Sequence, residues 1–188
     1  MFAAVVPPAD VVEHLDDFLD VRRAAGAFRW VTAEQLHVTV AFLADVPDRR
    51  LDDLVERLSR AARRRTAFAT AVTGGGAFPN AARARVLWVG LDLDDHGRTE
   101  LTRLATGARA AANRAGVPVD GQRFRPHLTL ARLGHPQELT SWVRLLDAYR
   151  GPTWNVDRLT LVASYLGEGP RGRPRYEPVD EFALSGSP

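Results

Sequence analysis

Apolar residues recur along this chain with two periods, and the changes between them divide it into elements. Phe2 to Val6 is a short continuous apolar run closed by Pro7-Pro8, the pattern of a buried strand. Asp10 and Glu13 then resemble a capping box. Val11, Val12, Leu15, Phe18 and Leu19 follow at helical spacing, so a helix runs to about Ala25 and stops at Gly26. Phe28 to Val31 reads as a short extended piece and Leu36 to Leu43 as a strand. Asp48 is expected to cap a second helix whose apolar stripe is Leu51, Leu54, Val55 and Leu58 and whose end is Arg63-Arg64-Arg65. Phe68 to Val72 and Arg85 to Leu91 read as strands, possible partners in a hairpin. Between them lie Gly74-Gly75-Gly76, expected to mark a bulge or a close backbone approach, and the turn Pro79-Asn80. Asp92 to Gly97 reads as a loop.

A third helix is expected from Thr99 to Ala115, with Leu101, Leu104, Ala105, Ala108, Ala111 and Ala112 inward and Gly116 as its stop. The loop Val117 to Arg125 leads to a second strand beginning at His127. Pro136 suits the first turn of a fourth helix, with Leu139, Val143 and Leu146 on one face and Gly151-Pro152 as its end. Val156 to Leu166 and Arg175 to Leu184 read as the last strands, joined by a loop rich in glycine, proline and arginine.

This order contains a repeat. His37-Val-Thr-Val-Ala-Phe-Leu43, a turn, Pro47 and a helix match His127-Leu-Thr-Leu-Ala-Arg-Leu133, a turn, Pro136 and a helix. Strands and helices do not simply alternate, which argues against a doubly wound parallel sheet. The expected fold is α+β: two pseudo-symmetric lobes of antiparallel strands with outer helices, within a single domain over residues 1–188 that arose by internal duplication. The two His-x-Thr strands would lie side by side and face a central cleft.

The chemistry is concentrated in those strands. Side chains alternate across a strand, so His37 and Thr39 share one face, as do His127 and Thr129, while Val38, Val40, Leu128 and Leu130 turn to the core. Phe42 and Arg132 each stand five residues after their histidine. Strict alternation sends them to the opposite face, and joining the site requires a bulge or a twisted strand end. Among the other histidines, His14 falls on the polar side of the first helix, His96 in a loop and His135 in a turn, and all read as surface. None has the close partners that a metal site needs, so no metal is expected. Tyr165 and Arg85 are further candidates for the cleft lining, and the tryptophans read as core anchors, with Trp30 the least certain.

Composition changes this picture little. The length of 188 residues suits one domain with an ample core. No apolar run is long enough to cross a membrane, there is no signal-peptide core at the amino terminus, and there is no cysteine for disulfide or thiolate chemistry. A cytoplasmic protein is the simple expectation. Formal net charge is only +2 and every basic residue is arginine, so overall charge does not argue for nucleic acid. Local clusters (Arg63 to Arg65; Arg123 and Arg125; Arg171, Arg173 and Arg175) are compatible with phosphate contacts. The glycine triplet precedes no helix and carries no Gly-Lys-Ser/Thr, against a P-loop.

Four stretches carry a family likeness: Leu36-His-Val-Thr-Val-Ala-Phe-Leu43; Gly76-Ala-Phe-Pro79 with Arg85-Val-Leu-Trp-Val-Gly90; Arg125-Pro-His-Leu-Thr-Leu-Ala-Arg132; and Arg173-Pro-Arg-Tyr-Glu-Pro178. With them the chain resembles the 2H phosphoesterases, most of all the bacterial and archaeal RNA 2′,3′-cyclic phosphodiesterases, once called 2′-5′ RNA ligases. The departure is at the start, where Phe2-Ala-Ala-Val-Val stands in place of that branch's usual basic-aromatic pair. The resemblance implies hydrolysis of RNA or nucleotides ending in 2′,3′-cyclic phosphate to the 2′-phosphate, with no cofactor and no metal. His37 would be the proton donor and His127 the proton acceptor, Thr39 and Thr129 would bind the phosphate, and Phe42 and Arg132 would sandwich a nucleobase. A monomer is expected. Three alternatives stay open: reversible 2′-5′ joining of RNA, hydrolysis of another cyclic or 2′-5′ linked nucleotide, and a non-catalytic module that binds RNA ends.

Overall fold

A computed structural model of the protein describes residues 1–121 and 123–186. Gln122, within the loop expected at Val117 to Arg125, lies outside the described residues, as do Ser187, Pro188 and the side chain of Arg171.

The strands are β1 (Phe2–Val5), β2 (Arg29–Trp30), β3 (Val38–Phe42), β4 (Phe68–Phe78), β5 (Ala84–Asp92), β6 (Leu128–Gln137), β7 (Arg150–Val156), β8 (Arg158–Tyr165) and β9 (Arg175–Ala183). The helices are α1 (Ala9–Arg23), α2 (Asp48–Ala62), α3 (Asp95–Arg114) and α4 (Thr140–Asp147). The strands form one antiparallel sheet in the order β7-β4-β5-β6-β3-β1-β8-β9, with β2 added to β6. The order divides at its centre: β6-β5-β4-β7 on one side repeats β3-β1-β8-β9 on the other, and each His-x-Thr strand is the innermost of its half. The class is α+β, as the element order implied.

Helices cover the outside. α4 packs on β4 and α1 on β7, while α2 and α3 pack together and reach β9 and β3. Their apolar stripes, Leu54, Leu58 and Ala62 from α2 and Leu101, Leu104, Ala105 and Ala108 from α3, are buried in one core with Val38, Leu87, Val89, Leu128 and Leu161. Each such leucine contributes roughly 1.5–3 kcal/mol through burial. α1 is also pinned through His14, whose Nδ1 lies 2.9 Å from the Tyr149 hydroxyl. Burial pushes Tyr149 up to about 12, so the phenol keeps its proton in this contact.

Several boundaries depart from the sequence pattern. Pro136 does not open a helix. It lies in β6, in the irregular stretch between the pairs Val86–Arg132 and Ala84–Gln137, where its missing N–H is not required by the ladder. Helix α4 starts only at Thr140. Gly151-Pro152 lies within β7, an edge strand of the sheet, where a proline is tolerated. The long strand expected from Val156 breaks at Asp157, where the chain passes from β7 in one half to β8 in the other. Neither Asp10 nor Asp48 caps its helix: Pro8 and Pro47 hold those positions, and no side chain bonds the first turn. Asp94 does cap α3, accepting from Gly97 N at 2.7 Å, so that helix begins four residues earlier than expected and His96 lies in its first turn. His135 is in β6 rather than in a turn.

The glycine triplet lies inside β4, where both expectations hold. Gly74 takes φ +75° at a register shift between Thr73 and Gly75, a backbone shape that a side chain disfavours. Gly75 is where another backbone closes in, a Cβ there lying 2.5 Å from the Val143 carbonyl oxygen, and at Gly76 a Cβ would overlap the Trp88 ring on the paired strand β5.

Candidate active site

The two halves meet at one cross-strand pair, Val38 with Leu128. Antiparallel pairing sets the neighbours of that pair opposite one another, His37 by Thr129 and Thr39 by His127. The four side chains line a cavity of about 1290 Å³.

The imidazoles are held alike. His37 Nδ1 is 2.7 Å from the carbonyl of Gln35, and His127 Nδ1 is 2.7 Å from the carbonyl of Arg125. A carbonyl only accepts, so in each ring Nδ1 carries the hydrogen and Nε2 is left for the cleft. Gln35 is itself fixed, its side chain donating to Pro174 O at 2.7 Å. That bond ties the loop before β9 to the turn holding His37.

The walls differ. His37 stacks on Phe2 at 4.5 Å and meets Tyr176 edge-on at 5.5 Å. His127 meets Phe78 edge-on at 4.9 Å and leans on Trp88 at 5.8 Å. Burial among these rings lowers His37 from 6.5 to about 4, against the carbonyl of Gln35, with the charges of His127 and Arg132 lowering it further. Burial also lowers His127, against the carbonyl of Arg125 and together with the Arg132 charge. Both imidazoles are therefore neutral at pH 7 in the ligand-free cleft.

This has a consequence for stability. An unfolded histidine takes up its proton near pH 6.5, whereas folded His37 does so only near 4. Above 6.5 neither state is protonated and the shift contributes nothing. As pH falls from 6.5 toward 4, the unfolded chain binds the proton first and stability is lost. For His37 the loss is on the order of 2 kcal/mol, allowing for its partial contact with solvent. Between pH 7 and pH 4.5, urea unfolding should show a smaller loss of stability for His37→Gln than for wild type. Equal losses would contradict the shift.

Phe42 and Arg132 reach the histidine face after all, and by the same device. In the ladder of β1 with β3, Ala4 pairs with Thr39 and Ala3 with Ala41, so Val40 is an extra residue. In that of β5 with β6, Trp88 pairs with Thr129 and Leu87 with Ala131, so Leu130 is extra. Each is a β-bulge, and each resets the alternation by one residue. In both strands the first hydroxyl is half-buried, the next two residues are buried and the fourth is exposed. Phe42, 51% exposed, and Arg132 thus line the same cavity as the histidines.

Other groups line the cleft too: Arg123, Arg125 and Arg173 fall in the arginine clusters noted for phosphate contacts, whereas Arg29 and Arg109 belong to no motif. Arg29, Arg109, Arg123, Arg125 and Arg173 join Arg132 around the cleft, where Asp120 is the acidic residue among the described lining. Tyr176 lay within the quoted C-terminal stretch, but nothing in its spacing pointed at His37. Trp30 lines the cleft and also packs on Phe28 and Trp142. Tyr165 and Arg85 are elsewhere: Tyr165 lies under Arg175 at 4.2 Å, and Arg85 donates to Gly134 O at 3.4 Å. Among the described residues, no group of three or more His, Asp or Glu is arranged to hold a metal ion, and no helix is long and apolar enough to cross a membrane.

Residues 7–168 match the family model described as the 2′-5′ RNA ligase superfamily. The RNA 2′,3′-cyclic phosphodiesterase of Aquifex aeolicus is 30% identical over 159 residues, 84% of this chain and 82% of that protein. The protein of the same name from Thermus thermophilus is 30% identical over 192 residues, 99% of this chain and 90% of its own. Among solved structures, Escherichia coli LigT complexed with 3′-AMP matches with a TM-score of 0.77 and 28% identity, covering 98% of this chain and 97% of that one.

Proposed function

The chain belongs to the 2′-5′ RNA ligase superfamily, and on that premise we propose that it hydrolyses RNA ends bearing a 2′,3′-cyclic phosphate to the 2′-phosphate, by metal-independent acid–base catalysis from His37 and His127. The observation that carries this reading is the mirrored pair of imidazoles, each tied at Nδ1 and open at Nε2, beside two threonines in one cleft. The relatives named RNA 2′,3′-cyclic phosphodiesterase support the substrate class, and the 3′-AMP bound to LigT supports a nucleotide as occupant.

The proposed steps take the donor and the acceptor as the resemblance implies them. His127 Nε2 takes a proton from water as the water oxygen bonds to phosphorus. The bond from phosphorus to the 3′ oxygen breaks on the opposite side, and His37 delivers a proton to that oxygen. The product carries a 2′-phosphate and a free 3′-hydroxyl. Thr39 and Thr129 donate to the non-bridging oxygens as their charge grows. His37 is neutral in the empty cleft because burial disfavours its cation. The phosphodiester anion supplies the missing counter-charge and draws a proton in. Burial then makes that imidazolium a stronger acid than an exposed one, which suits protonation of a leaving alkoxide.

Phe42 and Arg132 sandwich the terminal base, an aromatic face against a guanidinium plane. Stacking of this kind is worth about 1–3 kcal/mol per base. Phe42→Ala is therefore expected to raise KM for a cyclic-phosphate dinucleotide about tenfold with kcat within a few-fold of wild type. An unchanged KM would remove Phe42 from the site.

The deciding experiment is incubation of a short RNA ending in 2′,3′-cyclic phosphate, with EDTA present, followed by product analysis. Conversion to 2′-phosphate is the expected result. Ligated RNA as the main product would move the reading to reversible 2′-5′ joining. Binding without turnover by well-folded protein would reduce it to an RNA-end binding module.

A further inference from the structure

Away from the histidine cleft, α2 and α3 lie side by side and enclose a groove of about 540 Å³. Its walls carry Arg57, Arg60, Arg64 and Arg65 from α2 and the turn after it, and Arg103 and Arg114 from α3. Its floor is small: Ala61, Gly107, Ala110 and Ala111. A Cβ added at Gly107 would meet the Ala61 side chain at 3.5 Å, ordinary contact distance, and these small residues leave a slot between the helices flanked by guanidinium groups.

The groove retains positive charge. Asp53 takes up Arg57 at 2.8 Å and Glu56 takes up Arg60 at 2.6 Å. Glu100, buried beneath, is shared by Arg65 at 3.6 Å and Arg103 at 3.5 Å. Six arginines thus face three carboxylates, and none of the three is in the groove lining. Arg64 and Arg114 are exposed and have no acidic partner among the described residues. From Arg57 to Arg64 is about 10 Å along the helix direction, and from Arg103 to Arg114 about 16 Å. That length spans several phosphates at roughly 3.4 Å of rise per nucleotide. Guanidinium groups in two facing rows favour phosphate oxygens, which they grip bidentately, over a lone small anion.

We propose that this groove is a second RNA-binding site, one that holds the sugar-phosphate backbone of the substrate's body while its cyclic end lies between His37 and His127. The proposal rests on the RNA-end reading given above. Both sites are built on α3: Arg109, on another side of that helix, lines the cleft. The two sites therefore share α3, and an RNA that reaches both passes around that helix. Phosphate contacts carry no sequence information, so the groove favours long or structured RNA over mononucleotides without selecting a sequence.

The test compares wild type with a variant carrying Arg60→Gln, Arg64→Gln and Arg114→Gln together, all at exposed positions. Three probes are used: 2′,3′-cyclic AMP, a long RNA hairpin with a 2′,3′-cyclic phosphate end, and the same hairpin ending in a plain diol. The variant should turn over 2′,3′-cyclic AMP as wild type does. Its affinity for the diol hairpin should fall about tenfold or more, and the slope of log affinity against log salt should shrink by about 2–3, near 0.7–0.9 for each of the three lost charges. Arg60→Lys, Arg64→Lys and Arg114→Lys together keep the charge and should keep most of the slope. Unchanged hairpin affinity in the glutamine variant overturns the proposal. So does an equal loss on 2′,3′-cyclic AMP, or wild-type binding to phosphatidylglycerol vesicles without binding to the hairpin. Groove-dependent binding of the diol hairpin, with no hydrolysis of any cyclic end, would leave this site standing and sink the catalytic reading instead.

Discussion

Replacing either His37 or His127 with alanine is expected to lower kcat on a 2′,3′-cyclic phosphate end by about 10²–10⁴-fold, the usual worth of a positioned acid or base. Removing both should cost little more than removing one, because the acid and the base act in a single displacement. Neither change should unfold the protein, since both rings stand at the cleft and are only half-buried. The reading is checked by single-turnover conversion of a labelled RNA end, with affinity measured separately on a 2′-phosphate product. Lost turnover with retained product binding places the histidines in chemistry. A variant keeping more than about a tenth of wild-type kcat would take its histidine out of the acid–base pair. The mirrored arrangement means that His37 and His127 would exchange roles in the reverse direction. Distinguishing donor from acceptor needs a substrate with an activated 3′ leaving group, on which loss of the donor costs far less than loss of the acceptor.

The second large effect is expected at a residue with no functional group. Gly76 lies in β4 opposite Trp88, and the indole occupies the place where a β-carbon would sit. Trp88 is also in ring contact with Phe78 at 5.3 Å and with His127 at 5.8 Å. Gly76→Ala therefore has two outcomes available to it, to displace the indole or to open the β4–β5 pair. Overpacking of this kind costs about 1–3 kcal/mol, and a displaced indole would press on the imidazole. The expected result is a lower urea midpoint together with a loss of kcat larger than that caused by Gly107→Ala, where the added methyl meets Ala61 only at ordinary contact distance. Equal effects of the two substitutions would show that Trp88 does not transmit the change to His127.

The element pattern was legible where one physical signal dominated. The apolar stripes of α2 and α3, the two His-x-Thr strands and the antiparallel class all follow from residue spacing. The misreadings share a cause. Pro136, Pro152 and the Asp10 and Asp48 caps were assigned from residue types that serve two settings. A proline fits the first turn of a helix, an edge strand or an irregular stretch of a ladder, and only the neighbouring strand decides among them. Asp94 was the reverse case, a capping residue hidden among other acids just after a strand.

The candidate site divides along the same line. Local sequence put an imidazole and a hydroxyl on one face of each strand, because alternation is a property of the backbone alone. Whether Phe42 and Arg132 join them was not a local matter. It turned on Val40 and Leu130, extra residues only relative to the partner strands β1 and β5. The aromatic walls that hold both imidazoles neutral come from β1, β4, β5 and β9, distant in sequence. The arginine groove likewise joins residues from about 57 to 65 with residues from 103 to 114. By itself, then, the sequence determined the halves, the strand faces and the chemical groups, since these depend on backbone periodicity and side-chain type. The tertiary structure alone decided which strand faces share a cleft, which rings exclude water from the histidines and which helices place their arginines side by side. Those depend on register and packing between segments that no local pattern records.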